Sequence, residues 1–324
     1  MTSLKDIKAP IQEEMETFES HFRKSMKTKV PLLNIVLNYL LRRKGKQMRP
    51  MFVFLTSKMF GEVNNSTYTA ASLIELLHTA TLIHDDVVDE SYKRRGHFSI
   101  NALWKSKVSV LVGDYLLSKG LLLSVENKEF EMLEIVSEAV KQMSEGELLQ
   151  IKKSRKIFIN EEDYFEIISK KTASLIASCT ACGTRSVSTD PELIHKMKQF
   201  GEKVGLAFQI KDDLLDYQRT NKIGKPTGND IKEKKVTLPL IYAFKNAGKD
   251  EGKKLKKIFG KSKKKHAEVQ KVIKFVEENN GITDAQKKMN EIKEEAIALL
   301  NSFPQNEAAK SLIRLVNFTT ERNK

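Results

Sequence analysis

The stretch LIHDDVVDESYKRRG, Leu82 to Gly96, decides how the chain is read. Three aspartates, Asp85, Asp86 and Asp89, with Glu90 beside them, break into an otherwise apolar run. In a helix Asp85 and Asp89 stand four apart and share a face. Like charges at that spacing cost a helix about 0.2–0.5 kcal/mol. The nearest arginines are Arg94 and Arg95. The carboxylates therefore face water or hold something positive.

The pattern returns in FQIKDDLLDYQ, where Asp212, Asp213 and Asp216 repeat the spacing i, i+1, i+4. Apolar neighbours again fill the gaps: Leu82, Ile83, Val87 and Val88 in the first cluster, Leu214 and Leu215 in the second. Helices this apolar are predicted to be largely buried, where unpaired carboxylates are expensive. Two acidic faces with nothing between them would raise each other's pKa. A hard divalent cation resolves the conflict. Mg²⁺ prefers carboxylate oxygen, keeps several waters and bridges to phosphates. The six aspartates together predict a metal set that captures a diphosphate. The alternative is two solvated acidic faces.

A diphosphate site also needs cations from the protein. GKQMRP places Lys46 and Arg49 three apart at a helix start, where backbone N–H groups attract anions. Arg94 and Arg95 follow the first cluster, and an arginine can grip phosphate oxygens bidentately. Lys171, Thr172, Gln209, Lys225 and Lys235 complete a scattered set. With 56 Lys and Arg in the chain, any lone lysine is a weak signal. His78 precedes the first cluster and His84 abuts it. Each alone reads as a satisfied helix histidine, but the pair His84–Asp85 admits a metal phosphohydrolase with His and Asp ligands.

Outward from these motifs, the chain reads as successive helices. Apolar residues at Ile11, Met15, Phe18 and Phe22 keep helical spacing. Further helices are predicted over 30–45, from near Pro50 to Gly61, from about Tyr68 to Asp89, and over 101–125. The last of these is so apolar that it is read as buried. Two more cover 129–151 and 160–183, and a long one runs 191–217 after the turn at Asp190–Pro191. A polar loop from Gln218 to Lys235 precedes a helix from about Thr237, and amphipathic helices finish the chain. No strand alternation, repeat or linker divides the sequence. The 324 residues, 40% hydrophobic and 30% charged with 15 Gly and 7 Pro, fit one all-α domain over 1–324 with an ample core.

The net charge is +14, much of it between Lys245 and Lys274. That stretch lacks the interleaved aromatics of a single-strand binder, which argues against nucleic acid. It reads either as a solvated helix–loop–helix surface or as weak attraction to a membrane surface. Cys179 and Cys182 have no second pair or nearby histidines for zinc and are read as packing residues. No uninterrupted apolar segment reaches the roughly 20 residues of a membrane span. The N-terminal residues show no apolar signal core, so the cytoplasm is the expected compartment.

In their order, GKQMRP, HTATLIHDDVVDESYKRRG, GDYLL, KT and GLAFQIKDDLLDY with GKPTGNDIKEKK resemble the trans-isoprenyl diphosphate synthases, the polyprenyl synthetases. The likeness spans roughly Gly45 to Pro239. Class I terpene cyclases share a first DDxxD but differ at the second motif. The resemblance implies the isoprenoid synthase fold, an all-α bundle around a central apolar cavity, and a homodimer. It implies Mg²⁺ at Asp85 and Asp89, supported by Asp86, with Asp212, Asp213 and Asp216 opposite. It implies an allylic diphosphate (farnesyl or geranyl) held by Arg94, Lys171, Thr172, Gln209, Lys225 and Lys235. Isopentenyl diphosphate would be held by Lys46, Arg49, His78 and Arg95. Ionisation of the allylic C–O bond is then followed by attack of the isopentenyl double bond.

Product length is read from the residues below the first cluster. Ala80 and Thr81, one turn below Asp85, are small where a farnesyl-making relative commonly has an aromatic ring. The motif resembles the long-chain members that make quinone side chains. The expectation is an all-trans product of about six to ten isoprene units, limited by bulk deeper in the tunnel. Leu121 is the candidate floor. The alternatives are a farnesyl or geranylgeranyl diphosphate synthase, an HD-type phosphohydrolase, and an inactive partner subunit.

Overall fold

The structure is a computed structural model and describes residues 3–42, 45–94, 96–154, 159–217, 228–261 and 263–322. In chain order its helices are α1 (Leu4–Lys8), α2 (Gln12–Ser25), α3 (Pro31–Leu41), α4 (Met48–Phe60), α5 (Asn65–Val88), α6 (Ile100–Glu126), α7 (Phe130–Ser154) and α8 (Glu161–Ile168). They continue with α9 (Ser174–Arg185), α10 (Pro191–Asp216), α11 (Asn229–Lys232), α12 (Leu238–Asn246), α13 (Lys249–Phe259), α14 (His266–Glu278), α15 (Gly281–Asn301) and α16 (Glu307–Glu321). Between α5 and α6 a two-residue antiparallel pair forms, β1 (Lys93–Arg94) and β2 (His97–Phe98).

Local sequence explains the long elements. Asn64 caps α5, its side chain accepting from the Thr67 N–H while Thr67 answers to the Asn64 N–H. Ser99 caps α6, accepting from the Ala102 N–H. Asp190 caps α10 and Pro191 opens it, where its missing N–H costs nothing.

The predicted helix over 160–183 is interrupted. A π-helical turn, Ser169–Ala173, joins α8 to α9. Such turns often mark functional positions, and this one carries Lys171 and Thr172.

Helix α9 lies at the centre, packed on α4, α5, α7 and α10. It can do so because its residues are small. Cys179 and Cys182 are fully buried and form no disulfide, in agreement with a packing role. Gly201 and Gly205 of α10 permit the close approach: a Cβ there would lie 2.7 Å from the Cα of Ala177 and 2.4 Å from the Cα of Ala173. One continuous apolar cluster then joins Ile7 and Phe18 through Phe54 and Cys179 to Leu315 and Val316. The two aspartate-bearing helices, α5 and α10, are both held against α9.

Helix α6 differs from expectation. Its inner face, Val112, Gly113, Leu116, Gly120 and Ser124, is buried, largely on α5. Its outer face leaves Leu103, Val110, Leu111, Leu121, Leu122 and Val125 exposed. By length and composition alone it could cross a membrane. Leu121 is 45% exposed on that outer face and does not form a floor beneath α5. The residue that meets α5 is Gly120, against Leu73 and Leu77. An apolar run on all sides of a helix does not say which residue faces inward. A one-residue error turns the prediction by about 100°.

Candidate active site

The last turns of α5 sort the first cluster by exposure. Asp85 and Asp89 are exposed, whereas Asp86 is buried. Asp86 accepts a hydrogen bond on Oδ1 from Arg94 Nε at 2.9 Å. Arg94 comes from β1, whose turn back to β2 passes through Gly96 at φ 80°. Asn101 at the start of α6 donates to the Asp86 carbonyl at 3.3 Å. Asp85 is partly desolvated by its surroundings and also feels Glu147, and both raise its pKa. Lys171 and Arg94 act in the opposite direction. Lys171 itself pairs with Glu147 of α7 and lies 3.4 Å from Gln150 Oε1.

The second cluster is more densely bonded. Asp213 is 1% exposed, and each of its oxygens is engaged. Tyr164 donates to Oδ2 at 2.7 Å. Gln209 and Lys235 each donate to Oδ1 at 3.0 Å. Thr172 donates to Gln209 Oε1 at 2.7 Å, which ties the π turn to α10. Lys235 also reaches Asp230 at 3.4 Å. Burial works against the charge on Lys235, but Asp213 and Asp230 overcome it and raise its pKa. Burial pushes Asp230 up to about 6 in spite of Lys235. Asp216 accepts the N–H groups of Asn229 and Asp230, which fix α11 to the end of α10, and burial raises its pKa. Asp212 pairs with Arg322, whose guanidinium lies 4.4 Å from the centre of the Phe208 ring.

Three of the predicted phosphate ligands, Thr172, Gln209 and Lys235, are thus joined in one bonded chain through Asp213. Lys171 and Arg94 belong to the first cluster. Lys46 lies 5.1 Å from the centre of the Phe318 ring, on α16. Arg49 stands 3.9 Å from Glu75, and the buried His78 is three residues further along α5. Ala80 is fully buried, and Thr81 donates to the His78 carbonyl at 2.8 Å. Arg95 and Lys225 lie outside the described residues. His84 turns to α6, away from bonding with either aspartate cluster. Its Nε2 stands 3.4 Å from Asp114 and 3.3 Å from the Val110 carbonyl of α6.

Asp86 and Asp213 are the buried members of their clusters: Asp86 holds Arg94 through Oδ1, and Asp213 holds Lys235, Gln209 and Tyr164 through both its oxygens. Among the described residues, no three His, Cys, Asp or Glu side chains converge to hold an ion. The remaining donor set nevertheless fits Mg²⁺. Asp85 and Asp89 are exposed carboxylates, and Asp212, though paired with Arg322, is partly exposed; all three offer hard oxygen ligands with room for water and substrate phosphate.

Sequence reasoning missed Tyr164, Glu147, Asp230 and Arg322. Tyr164 stands two turns before Lys171 on the same predicted helix, and Asp230 lies in the polar segment already noted. Nothing local marks Glu147 or Arg322.

The sequence model of the polyprenyl synthetase family matches residues 30–276. The octaprenyl diphosphate synthase of Escherichia coli (strain K12) is 31% identical over 323 residues, covering 99% of this chain and 100% of that protein. The crystal structure of a decaprenyl diphosphate synthase from Rhodobacter capsulatus superposes with a TM-score of 0.93 at 30% identity, covering 99% of this chain and 100% of that one. The polyprenyl synthase of Caulobacter crescentus CB15, solved with calcium and isoprenyl diphosphate, gives 0.91 at 30% identity, covering 99% and 98%. With paired aspartate clusters on α5 and α10 and a match across most of its length, this chain belongs to the polyprenyl synthetase family.

Proposed function

We propose that this chain condenses isopentenyl diphosphate head to tail with an allylic diphosphate, farnesyl or geranyl, to give a long-chain all-trans polyprenyl diphosphate. The observation that carries the reading is the pair of aspartate clusters on two helices packed against α9, each with a buried aspartate paired to its own partly exposed cation. Full-length similarity to octaprenyl and decaprenyl diphosphate synthases supports the long product. The small side chains of Ala80 and Thr81 below Asp85 are consistent with it.

Lys171, Arg94 and Lys235 bring positive charge to the diphosphate of the allylic substrate, and Thr172 and Gln209 orient it. Arg49, Lys46 and His78 are assigned to isopentenyl diphosphate, together with Arg95. Asp85, Asp89, Asp212 and Asp216 would hold Mg²⁺, which would supply positive charge to stabilise the departing diphosphate. Asp86 and Asp213 hold Arg94 and Lys235 in place, so these cations need not reorganise as charge develops on the leaving oxygen. The allylic C–O bond breaks, the isopentenyl double bond attacks the resulting carbocation, and a proton leaves to pyrophosphate. The apolar interior around α5 keeps water from the cation. The exposed apolar face of α6 supports a homodimer, and two free thiols are consistent with the cytoplasm.

The test is pyrophosphate release from farnesyl diphosphate with and without isopentenyl diphosphate. Release that requires both substrates, and that falls about 10²–10³-fold in Asp85→Asn, agrees with the proposal. Release from farnesyl diphosphate alone would mark a hydrolase.

A further inference from the structure

Twelve lysines and three acidic residues lie between Lys245 and Lys274, a net +9 out of the chain's +14. Folding turns this stretch into a hairpin of α13 and α14 with its large apolar side chains turned inward. Leu255 and Phe259 of α13 join Val269, Val272, Ile273 and Val276 of α14 in a core shared with Tyr217 and Ile231. Lys253, Lys254, Lys257, Lys261, Lys263, Lys271 and Lys274 are all exposed. Among the described residues, Lys261 pairs with Glu268 and Lys274 with Glu278.

The hairpin stands beside the active site. Helix α14 packs on α11 and α12. Val269 lies so close to Gly228 that a Cβ there would come within 2.4 Å. The next two residues, Asn229 and Asp230, hold the Asp216 carboxylate through their N–H groups. The basic surface therefore borders the end of the bundle where the diphosphate is bound.

Its position also excludes one partner. Among the described residues, every exposed large apolar side chain lies between Val30 and Ile151. A second copy of the chain finds its apolar surface there, and two hairpins of this charge repel one another. The hairpin offers no exposed aromatic for stacking on bases, and its cations are all lysine, point charges without the bidentate geometry of arginine. What fits is a broad anionic surface, met without insertion.

We propose that the α13–α14 hairpin docks the enzyme electrostatically on membranes rich in anionic lipid. The partner class rests on the long-chain product proposed above. Such a product is too apolar to leave into water, and the reaction that consumes it must draw it from a lipid phase. The hairpin would hold the product's diphosphate end at the lipid–water boundary.

The experiment is co-sedimentation of the full-length protein with vesicles of phosphatidylcholine alone and of phosphatidylcholine with phosphatidylglycerol, with no substrate present. Its outcome is thus independent of catalysis. The wild type is expected to bind only the anionic vesicles and to be released at high salt. The variant Lys253→Glu/Lys254→Glu/Lys257→Glu/Lys263→Glu/Lys271→Glu is expected to bind at least about a hundredfold more weakly. It should keep its circular dichroism spectrum and its turnover without vesicles. Any one of four results would overturn the proposal. The first is no binding to anionic vesicles, or equal binding to neutral ones. The second is wild-type binding by the charge-reversed variant. The third is tighter, equally salt-sensitive binding to single-stranded RNA, which would make nucleic acid the partner. The fourth is a variant whose kcat/KM falls without vesicles, which would instead assign the lysines to steering the diphosphate substrates.

Discussion

Lys235 shows how single residues carry the site. Its ammonium is shared by Asp213 and Asp230 in a place where neither carboxylate can reach bulk water freely. Removing it leaves buried negative charge behind, which typically costs about 3–5 kcal/mol. Lys235→Met should therefore lower unfolding stability by that order, as measured by urea denaturation, as well as reduce turnover. A change confined to turnover would mean that Lys235 is not part of the structural network. The two thiols give a prediction of opposite kind. Burial pushes Cys179 up to about 12 and raises Cys182 as well. Each thiol favours the folded state fully below its unfolded pKa of about 8.5, and that contribution is lost as pH rises toward the folded value. At pH 8 both should resist a thiol reagent in the native protein and react on unfolding. The aspartates were legible in the sequence because i, i+1, i+4 spacing is a local signal. The Tyr164–Asp213 and Arg322–Asp212 bonds were not, because 49 and 110 residues separate the partners and only tertiary packing sets that register.

At the scale of elements, the contact between α5 and α6 explains a motif left without a role by the chemistry. GDYLL begins with Gly113 and Asp114. A Cβ on Gly113 would lie 2.1 Å from His84 Nε2, so the ring fits there only over a glycine. His84 directly precedes Asp85, and its seat against α6 sets the rotation of the turn that presents Asp85 and Asp89. Gly113→Ala should destabilise the protein by about 1–3 kcal/mol through overpacking. The double variant Gly113→Ala/His84→Ala should recover part of that loss. Purely additive effects in the thermal unfolding cycle would contradict this contact. The existence of these helices was readable from apolar spacing and caps. Their faces were less so: α6 is apolar on all sides, and the sequence did not separate Gly120, which meets α5, from Leu121, which points outward. Nor did periodicity mark the π turn at Ser169–Ala173, whose extra residue aims Thr172 at Gln209.

The whole molecule divides its surface by chemistry. Apolar side chains are exposed on α3, α6 and α7, while the basic hairpin lies on α13 and α14. An exposed apolar helix face of this extent calls for a partner, and a second copy is the simplest one. Leu111→Glu/Leu122→Glu should convert a dimer to monomer in light scattering, with helicity retained; a wild-type protein that is already monomeric would contradict the assignment. The active site and its depth set the reaction and the length of its product. The most direct test incubates the purified protein with farnesyl diphosphate, labelled isopentenyl diphosphate and Mg²⁺, and reads the products by mass spectrometry. The expected result is a ladder of prenyl diphosphates that ends at one long species. A ladder ending at the geranylgeranyl diphosphate would contradict the reading of Ala80 and Thr81, and no incorporation at all by folded protein would contradict the proposed condensation.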